Sequence, residues 1–376
     1  MPEAFKNVFN SSMIHGMAAH FKQHWPAFDD KRFIRMAMKN LRALALKARS
    51  QQITQAMIQY LPDNYPHAGE IMLASLYPVD GSDIADLGVG KKGIGGWAMM
   101  PMTHYVALQG QNDFTLSMNL LKEMTQRFSA EFDIRFFLLA AQDETMAVLH
   151  TWASDENYHV RRLVSEGTRP RLPWAMCLPP FVENPAPVIA LLEKLKDDPE
   201  EYVRRSVANN LNDISKDHPD VVADIAARWM KDASKNRARL VRHACRSLLK
   251  AGHKKTLKVL GFGPPRIHNV SLQLLTPKVV FGEKLQFELS LTSRTKQAQQ
   301  LMVDYVVHHQ KANGSTSPKV FKWRSITLGP GGVLNGIKNH AMKKITTRVY
   351  YPGAHKIEIM VNGVSVATAD FQLIMP

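Results

Sequence analysis

The chain has 376 residues, 45% of them apolar and 22% charged, with a formal net charge of +15. Length and composition indicate two or three globular domains and exclude a disordered or collagen-like chain. Two cysteines exclude a disulfide framework, and no apolar run approaches the roughly 20 residues of a membrane span; the N-terminus also lacks a signal segment, so we expect a cytoplasmic protein without membrane attachment.

The first two-thirds of the chain has the apolar periodicity of helices. Between Phe28 and Ser50, apolar residues recur every three or four positions, and Asp29 or Asp30 is placed to cap the start. Similar stripes follow at 134–141, 203–211 and 240–248. A helical bundle would explain these stripes as well as a repeat would.

Internal repetition favours the repeat. Residues 154–167 (SDENYHVRRLVSEG) and 198–210 (DPEEYVRRSVANN) align at an offset of 43 residues, and Val241-Arg242-His243 is a weaker third copy 38 residues later. A period near 40 to 47 with two helices per unit is typical of HEAT repeats. We therefore predict a mainly α protein, with a HEAT-like repeat α-solenoid over 1–262 whose concave surface suits a long cylindrical ligand such as a duplex.

Past Pro265 the period changes from 3.6 to 2. Leu285, Phe287, Leu289 and Leu291 alternate with polar residues, and Asn362-Gly363 is a strong hairpin signal. Strand-like runs near 270, 287, 304, 323, 348, 359 and 368 make about seven strands. This count predicts a C-terminal immunoglobulin-like β-sandwich over 266–376.

The positive charge is concentrated in the C-terminal part. Residues 1–230 hold 24 basic and 27 acidic side chains, whereas 231–258 hold ten and one, and 266–376 hold 14 and five. Such a field attracts a polyanion, because each neutralised phosphate releases counterions. DNA or RNA is the first candidate, with Lys254 and Lys255 as phosphate contacts; a merely solubilising surface is the alternative.

Acidic residues gather around the repeat. Glu131, the segment SEGTRPRLPW at 165–174 and NNLND at 209–213 form the cluster, and adjacent repeats would present Glu166 and Asp213 along one edge. An acid facing phosphates weakens binding unless it does chemistry or holds a cation. The alternative is that both acids cap helices or pair with Arg161, Arg204 or Arg205. Trp174, judged as a bare sequence feature, would more often be a core residue.

No cofactor or metal site is predicted. His15, His20 and His24 lack the HExxH pattern and a matching carboxylate, so they are not expected to bind a metal. A GxSxG elbow is also missing, and Cys177 has no recognisable partner histidine, which leaves acyl transfer without support.

The chain resembles the AlkC and AlkD family of DNA alkylation repair glycosylases. The resemblance rests on SEGTRPRLPW after VRRLV, on NLNDISKDHPD, on the N-terminal AFKN and LKARS stretches, and on helical repeats followed by a basic sandwich. It implies a monofunctional glycosylase of bacterial origin that excises cationic methylated bases, such as 3-methyladenine and 3-methylcytosine, without flipping them into a deep pocket. It further implies that Glu131, Glu166, Trp174 and Asp213 surround the lesion.

The residue types suit that chemistry. A base methylated at a ring nitrogen already carries positive charge and can depart neutral, so the difficult species is the oxocarbenium-like sugar. A carboxylate can stabilise that sugar and orient a water molecule, and Asp213 is the candidate. Glu166 and Glu131 would add negative potential, and Trp174 would offer its face to the sugar or the cationic base.

Basic residues near the acids are expected to contact phosphates. They are Arg162, Arg169, Arg171 and Arg205, in addition to the two lysines named above. The expected partner is therefore double-stranded DNA containing alkylated bases, bound by a monomer that associates with the nucleoid when on DNA. The rival hypothesis is a non-catalytic HEAT scaffold that binds nucleic acid and a partner protein.

Overall fold

The computed structural model describes residues 5–81 and 83–376, in which helices come first and strands follow. The helices are α1 (Ser11–His24), α2 (Asp30–Met38), α3 (Leu46–Tyr60), α4 (Tyr65–Ala74), α5 (Met99–Gln109), α6 (Phe114–Thr125), α7 (Ile134–Ala140), α8 (Gln142–Trp152), α9 (Tyr158–Gly167), α10 (Pro179–Glu183), α11 (Ala186–Leu195), α12 (Glu201–Ile214), α13 (Pro219–Met230), α14 (Lys235–Ala244), α15 (Arg246–Lys250) and α16 (Lys254–Val259). Among the described residues, no helix has the length and apolar character of a membrane span.

Helices α2 and α3 replace the single stripe suggested between Phe28 and Ser50. The carboxylate of Asp29 caps α2 by accepting from the backbone N–H of Arg32 at 3.0 Å, as the sequence indicated. The backbone of Asn40 then adopts a left-handed conformation with φ of 52°, and a short 3₁₀ turn precedes α3. The apolar spacing continues across a break that the side-chain pattern does not reveal.

Equivalent helices of the two strongest repeats, α9 and α12, pack side by side. The hydroxyl groups of Ser165 and Ser206 lie 2.7 Å apart, and the Asn210 amide donates to the Ser165 carbonyl at 2.8 Å. Arg161 donates to both carboxylate oxygens of Asp198 at 2.6 and 3.0 Å. These bonds between neighbouring units confirm the predicted HEAT-like helical repeat.

The strands form a two-sheet sandwich. They are β1 (Ile267–Leu274), β2 (Lys278–Val280), β3 (Lys284–Ser293), β4 (Gln299–Gln310), β5 (Thr316–Leu328), β6 (Val333–Ala341), β7 (Gly353–Val361) and β8 (Val364–Ile374). One sheet has the order β1-β3-β6 and the other β2-β8-β7-β4-β5. The immunoglobulin-like prediction is confirmed, including the turn at Asn362 and Gly363, where φ is 47° and 75°.

Two details of the strand prediction are wrong. The run near 348 is not a strand, and β2 and β6 were not anticipated. Strand β6 (VLNGIKNHA) carries asparagine, glycine and lysine at an edge of its sheet, so its apolar alternation is weak.

Packing divides the chain into two compact units, Met1–Asp217 and His218–Pro376. The second unit therefore contains α13–α16 as well as every described strand. Backbones approach closely there, since a Cβ added to Gly363 would lie 2.7 Å from the Cα of Gly252. The division by packing comes earlier than the helix-to-strand change, and separate domains over 1–262 and 266–376 stay a prediction.

A buried arginine fixes the loop that follows α9. Arg135, at the start of α7, is fully buried, and its Nη1 donates to the carbonyls of Gly167 at 2.9 Å and Arg169 at 2.7 Å. Its Nε and Nη2 donate to the carbonyl of Met176 at 3.0 and 2.5 Å. Burial lowers the pKa of Arg135 to about 10. One side chain thus holds both ends of the segment 167–176.

Arg135→Met should destabilise the first unit because three carbonyl groups lose their donor, and the bonds to two of them, Gly167 and Arg169, are buried. We expect the free energy of unfolding to fall by about 1 to 3 kcal/mol, the range for buried polar groups left unsatisfied. Denaturant unfolding followed by tryptophan fluorescence measures this. Arg32→Met, at a side chain with 70% exposure, is the control. Equal stability of the two variants would contradict the role assigned to Arg135.

Three buried histidines lie at one end of the sandwich: His309, His340 and His355. The Tyr305 hydroxyl lies 3.1 Å from Nδ1 of His340. Burial, with a smaller effect of Lys338, lowers the pKa of His340 to about 4, and burial also lowers the pKa of His355. The folded sandwich therefore holds these two rings neutral where an unfolded chain would protonate them.

The second unit should lose stability as pH falls from about 6.5 towards 4. The contribution of His340 is complete above its unfolded pKa and declines by about 1.4 kcal/mol per pH unit below it. Hydrogen exchange of β4 and β6 amides, corrected for intrinsic rates, should show this loss. His340→Phe, which fits against Phe321, should flatten the dependence. Burial raises the pKa of Asp304 to about 6, so the contribution of Asp304 to stability grows as the pH falls and offsets part of this loss. An unchanged pH dependence in His340→Phe would contradict the role assigned to His340.

Candidate active site

Glu166 and Asp213 meet at one arginine. Glu166 lies in the last turn of α9 and Asp213 in the last turn of α12, and both are buried, with exposures of 5% and 3%. Arg169 Nη1 donates to Glu166 Oε1 at 2.7 Å, and its Nε donates to Asp213 Oδ2 at 2.8 Å. The repeat offset therefore brings the two carboxylates together, as the spacing predicted.

Glu166 is held ionised by its neighbours. Burial opposes its ionisation, but the guanidinium groups of Arg162 and Arg169 outweigh burial, and the pKa of Glu166 lies below its ordinary value. The Ser206 hydroxyl donates to Glu166 Oε2 at 2.6 Å, a contact that no sequence signal indicated. Each carboxylate oxygen of Glu166 thus already has a donor.

Glu131 joins the same network. The guanidinium of Arg162 binds the Glu131 carboxylate and lies 3.5 Å from Glu166 Oε1. At the other end, Lys216 Nζ lies 2.9 Å from Asp213 Oδ1. Acids and bases therefore alternate along the chain Glu131, Arg162, Glu166, Arg169, Asp213 and Lys216, which we call the carboxylate network.

The acids do pair with arginines, as the alternative suggested, but the arginines are not the ones that it named. Arg161 binds Asp198, and Arg204 donates to the carbonyl of Pro199 at 2.7 Å, so these two hold repeats together. The acids are bound by Arg162 and Arg169, which the sequence had suggested as phosphate contacts. Both guanidinium groups are buried against carboxylates in this structure and do not face solvent.

Trp174 is a surface residue, so the core alternative is wrong. It is 65% exposed, and its φ of 69° is a left-handed conformation that a bulky residue rarely adopts. Lys47 donates to its carbonyl oxygen. The residue lines a cavity of about 160 Å³ together with His104, whose Nδ1 lies 2.9 Å from buried Asp133. Backbone strain at an exposed aromatic beside a cavity is a feature of functional positions.

The other basic residues expected to contact phosphates differ in whether they form ion pairs. Arg171 forms a surface ion pair with Asp217 at 2.9 Å, and Lys255 lies 2.7 Å from Asp224. Arg205 and Lys254 are exposed, and neither forms an ion pair with a described carboxylate. These four side chains can reach an anion without dismantling a buried bond.

Two exposed tyrosines beside the carboxylate network were not predicted as site residues. Tyr158 and Tyr202 are 37% and 42% exposed, with ring centroids 6.3 Å apart in an edge-to-face arrangement. The Arg162 guanidinium lies over the Tyr202 ring, 5.0 Å from its centroid. Both tyrosines shortly precede the repeated Val-Arg-Arg, and this shared position was the signal available.

No metal site accompanies these residues in the described part of the chain. Nowhere there do three or more His, Cys, Asp or Glu side chains gather in a way that could hold an ion. The acids of the network are instead balanced by guanidinium and ammonium groups.

Comparisons with known proteins agree on one family. Residues 113–248 match the family described as "DNA alkylation repair enzyme", and residues 268–375 match "Uncharacterised protein YhaZ, C-terminal Ig-like domain". YhaZ of Bacillus subtilis (strain 168) is 33% identical over 98% of this chain and 99% of its own length. The Pseudomonas fluorescens alkylpurine DNA glycosylase AlkC, solved bound to DNA containing an abasic site analog, is 34% identical over 99% of this chain and 100% of that chain, with a TM-score of 0.87. This chain therefore belongs to the AlkC family of DNA alkylation repair enzymes.

Proposed function

We propose that the chain is a monofunctional DNA glycosylase that excises cationic N-methylated bases, including 3-methyladenine and 3-methylcytosine, without flipping them. The observation that carries the proposal is the buried pair Glu166 and Asp213, held together by Arg169. A HEAT scaffold without catalysis would explain a single pair such as Arg161 and Asp198, but not two buried acids that share one arginine with each other. The likeness to an alkylpurine DNA glycosylase supports the same conclusion.

The reaction needs stabilisation of a cationic sugar more than protonation of a leaving group. A methylated base carries its positive charge in the ground state and departs neutral when the glycosidic bond breaks, leaving the charge on the sugar. Water then adds to the anomeric carbon and loses a proton to the site or to solvent. A fixed carboxylate in a partly dry site stabilises this sugar far better than solvent does.

Asp213 is the better candidate for direct contact with the sugar. Its Oδ2 is held by the buried Arg169, whereas its Oδ1 is bound by Lys216, whose side chain is 48% exposed. A flexible surface ammonium can leave towards a DNA phosphate and free this oxygen. Glu166 lacks such an exchangeable partner, because Ser206 and Arg169 bind its two oxygens. Glu166 and Glu131 then act as fixed negative charge around the lesion.

DNA would be held by the accessible cations. Arg171, Arg205, Lys254 and Lys255 are the proposed phosphate contacts, and Trp174 is the proposed aromatic face for the lesion. Arg162 and Arg169 act differently from the sequence expectation: they position the carboxylates. The bound duplex, the monomeric state and location at the nucleoid belong to the same proposal.

Asp213→Asn should abolish base release while sparing DNA affinity. Loss of one preorganised charge lowers a rate by about a hundredfold or more. The assay incubates the full chain with methylated DNA and separates released bases by chromatography. Glu166→Gln should behave similarly, and Glu144→Gln, at an exposed acid of α8, is the matched control.

Two results would count against this assignment. Full excision by Asp213→Asn and Glu166→Gln would show that these two acids are not the catalytic residues, even if the wild type is a glycosylase. An inactive wild type that still binds methylated DNA in a salt-sensitive way would favour the scaffold. Thermal unfolding and affinity for abasic DNA separate lost chemistry from lost folding.

Arg205→Gln and Arg169→Gln should fail in different ways. Removal of one phosphate contact at Arg205 should lower the slope of log K against log salt by about 0.9, with excision of bound DNA largely kept. Arg169→Gln should leave that slope unchanged and reduce excision, because it releases Glu166 and Asp213. Titrations at several salt concentrations, with Arg32→Gln as a control, test both; a reduced slope in Arg169→Gln would return this residue to the phosphate contacts.

A further inference from the structure

Arg162 reaches the acids of the carboxylate network by hydrogen bonds from one nitrogen, whereas Arg169 uses two. Its Nη1 donates to the Ser129 hydroxyl at 2.6 Å and to the Glu131 carboxylate. Its Nη2 lies 3.5 Å from Glu166 Oε1, and its buried Nε has no hydrogen-bond partner among the described residues. Hydrogen bonds therefore fix only one corner of the Arg162 guanidinium group.

The neighbouring Arg161 is fully hydrogen-bonded. Its Nε and Nη2 each donate to one carboxylate oxygen of Asp198. Its Nη1 donates to the carbonyls of Asp155 and Glu156, both at 2.9 Å. Every nitrogen of that guanidinium group has an acceptor. Arg162 has no comparable set of acceptors, so another contact is needed to fix its charge beside Glu166.

The ring of Tyr202 supplies that contact. The guanidinium carbon of Arg162 lies over this ring, 5.0 Å from its centroid, within the distance at which an aromatic face attracts a cation. The Arg162 side chain is only 13% exposed, so water screens the attraction little. The Tyr202 hydroxyl forms no hydrogen bond with a described residue. The ring, and not the hydroxyl, is thus the part of Tyr202 that meets the network.

Two aromatic side chains from the start of α9 hold the Tyr202 ring in turn. Tyr158 meets it edge to face, with centroids 6.3 Å apart, and the His159 ring lies 5.9 Å away. Tyr202 is the second residue of α12, and His159 is the second residue of α9. Burial, with a smaller effect of Arg162, lowers the pKa of His159 to about 4, so this ring is neutral at neutral pH. The ring of Tyr202 is therefore packed between two repeats by uncharged neighbours.

The position of Arg162 matters because its charge acts on buried acids. The titratable groups that face it are Glu131 before α7, Glu166 and His159 on α9, and Tyr202 on α12. Burial opposes the ionisation of Glu166, and the charge of Arg162 is one of the two that overcome it. If this guanidinium group turned away, Glu166 would keep the cost of burial and lose part of its compensation.

We propose that Tyr202 is a positioning residue of the candidate active site, whose ring holds the guanidinium group of Arg162 between Glu131 and Glu166. The proposal rests on the proposed glycosylase function, in which these acids act on a cationic nucleotide. Tyr202 itself then contacts neither the lesion nor a phosphate. Because its side chain is exposed, direct contact with DNA is the rival role that the test has to separate.

The test compares Tyr202→Leu with Tyr202→Phe in the full chain. Leucine keeps an apolar side chain but has no aromatic face, so single-turnover excision at saturating protein should fall about tenfold, within the range of a cation–π contact. Phenylalanine keeps the ring and should restore the wild-type rate. The affinity for abasic DNA should be unchanged in both variants. Tyr60→Leu, at a partly exposed tyrosine that ends α3, is the matched control.

Three outcomes would overturn the proposal. Weaker binding of abasic DNA by Tyr202→Leu, with an unchanged single-turnover rate, would indicate direct contact with DNA. Equal loss of excision in Tyr202→Phe and Tyr202→Leu would indicate that the hydroxyl is the acting group. Wild-type excision by Tyr202→Leu would show that the ring has no role. Thermal unfolding confirms that each variant is folded.

A second measurement does not depend on glycosylase activity. Carbon-13 NMR of the glutamate carboxyl groups, with the Glu166 resonance assigned through Glu166→Gln, reports the pKa of Glu166 in each variant. This pKa should rise in Tyr202→Leu, because a displaced Arg162 no longer lowers it fully, and should stay unchanged in Tyr202→Phe and Tyr60→Leu. The ionised form of Glu166 is then lost at a higher pH as the pH falls.

The two measurements separate the two proposals. An unchanged pKa of Glu166 in Tyr202→Leu would overturn the role of Tyr202, whatever the activity of the chain. A raised pKa in Tyr202→Leu together with an inactive wild type would leave the contact between Tyr202 and Arg162 in place and refute the glycosylase function instead.

Discussion

The candidate active site depends on one buried guanidinium group shared by two carboxylates. Arg169 binds Glu166 and Asp213 at 2.7 and 2.8 Å, so removal of this guanidinium would leave both buried acids with one charged partner fewer. These buried ion pairs therefore contribute less to the stability of the fold than to the positions of the two carboxylates. It fixes two negative charges from different helices at one point.

The helical repeat makes this arrangement possible. The 43-residue offset places α9 beside α12, with Ser165 against Ser206, so that residues of successive repeats share one edge. Arg135 then holds both ends of the loop after α9, which carries Arg169 and Trp174. Loops are ordinarily the mobile part of a fold. The three carbonyls bound by Arg135 make the loop after α9 a rigid support for the site residues that it carries. Trp174, with its left-handed φ of 69°, lies within the segment that these bonds enclose.

Sequence patterns predicted the features that depend on the spacing and type of neighbouring residues. They did not predict the side-chain partners that tertiary packing brings together. The 43-residue offset predicted the repeat and the meeting of Glu166 with Asp213 at one edge. The alternation of apolar and polar residues predicted the sandwich. The partners of these acids did not, because Arg162 and Arg169 point inward for reasons that only tertiary packing supplies. Ser206 and Arg135 carried no local signal at all. The exposure of Trp174 was also not predicted from the residue type, since a tryptophan is more often a core residue.

The charge balance of the network bears on how a site of this kind could distinguish damaged bases. Three acids, Glu131, Glu166 and Asp213, face three bases, Arg162, Arg169 and Lys216, so the free protein has little net charge there. Two of those bases are buried and fixed, but Lys216 is half exposed and can move to a phosphate. In the proposed function, bound DNA thereby removes one positive charge and leaves the site negative only when a nucleotide is present. A neutral base gains little from this field, whereas a methylated cationic base and the sugar cation that follows it both gain, so one exchange of partners would serve recognition and catalysis together.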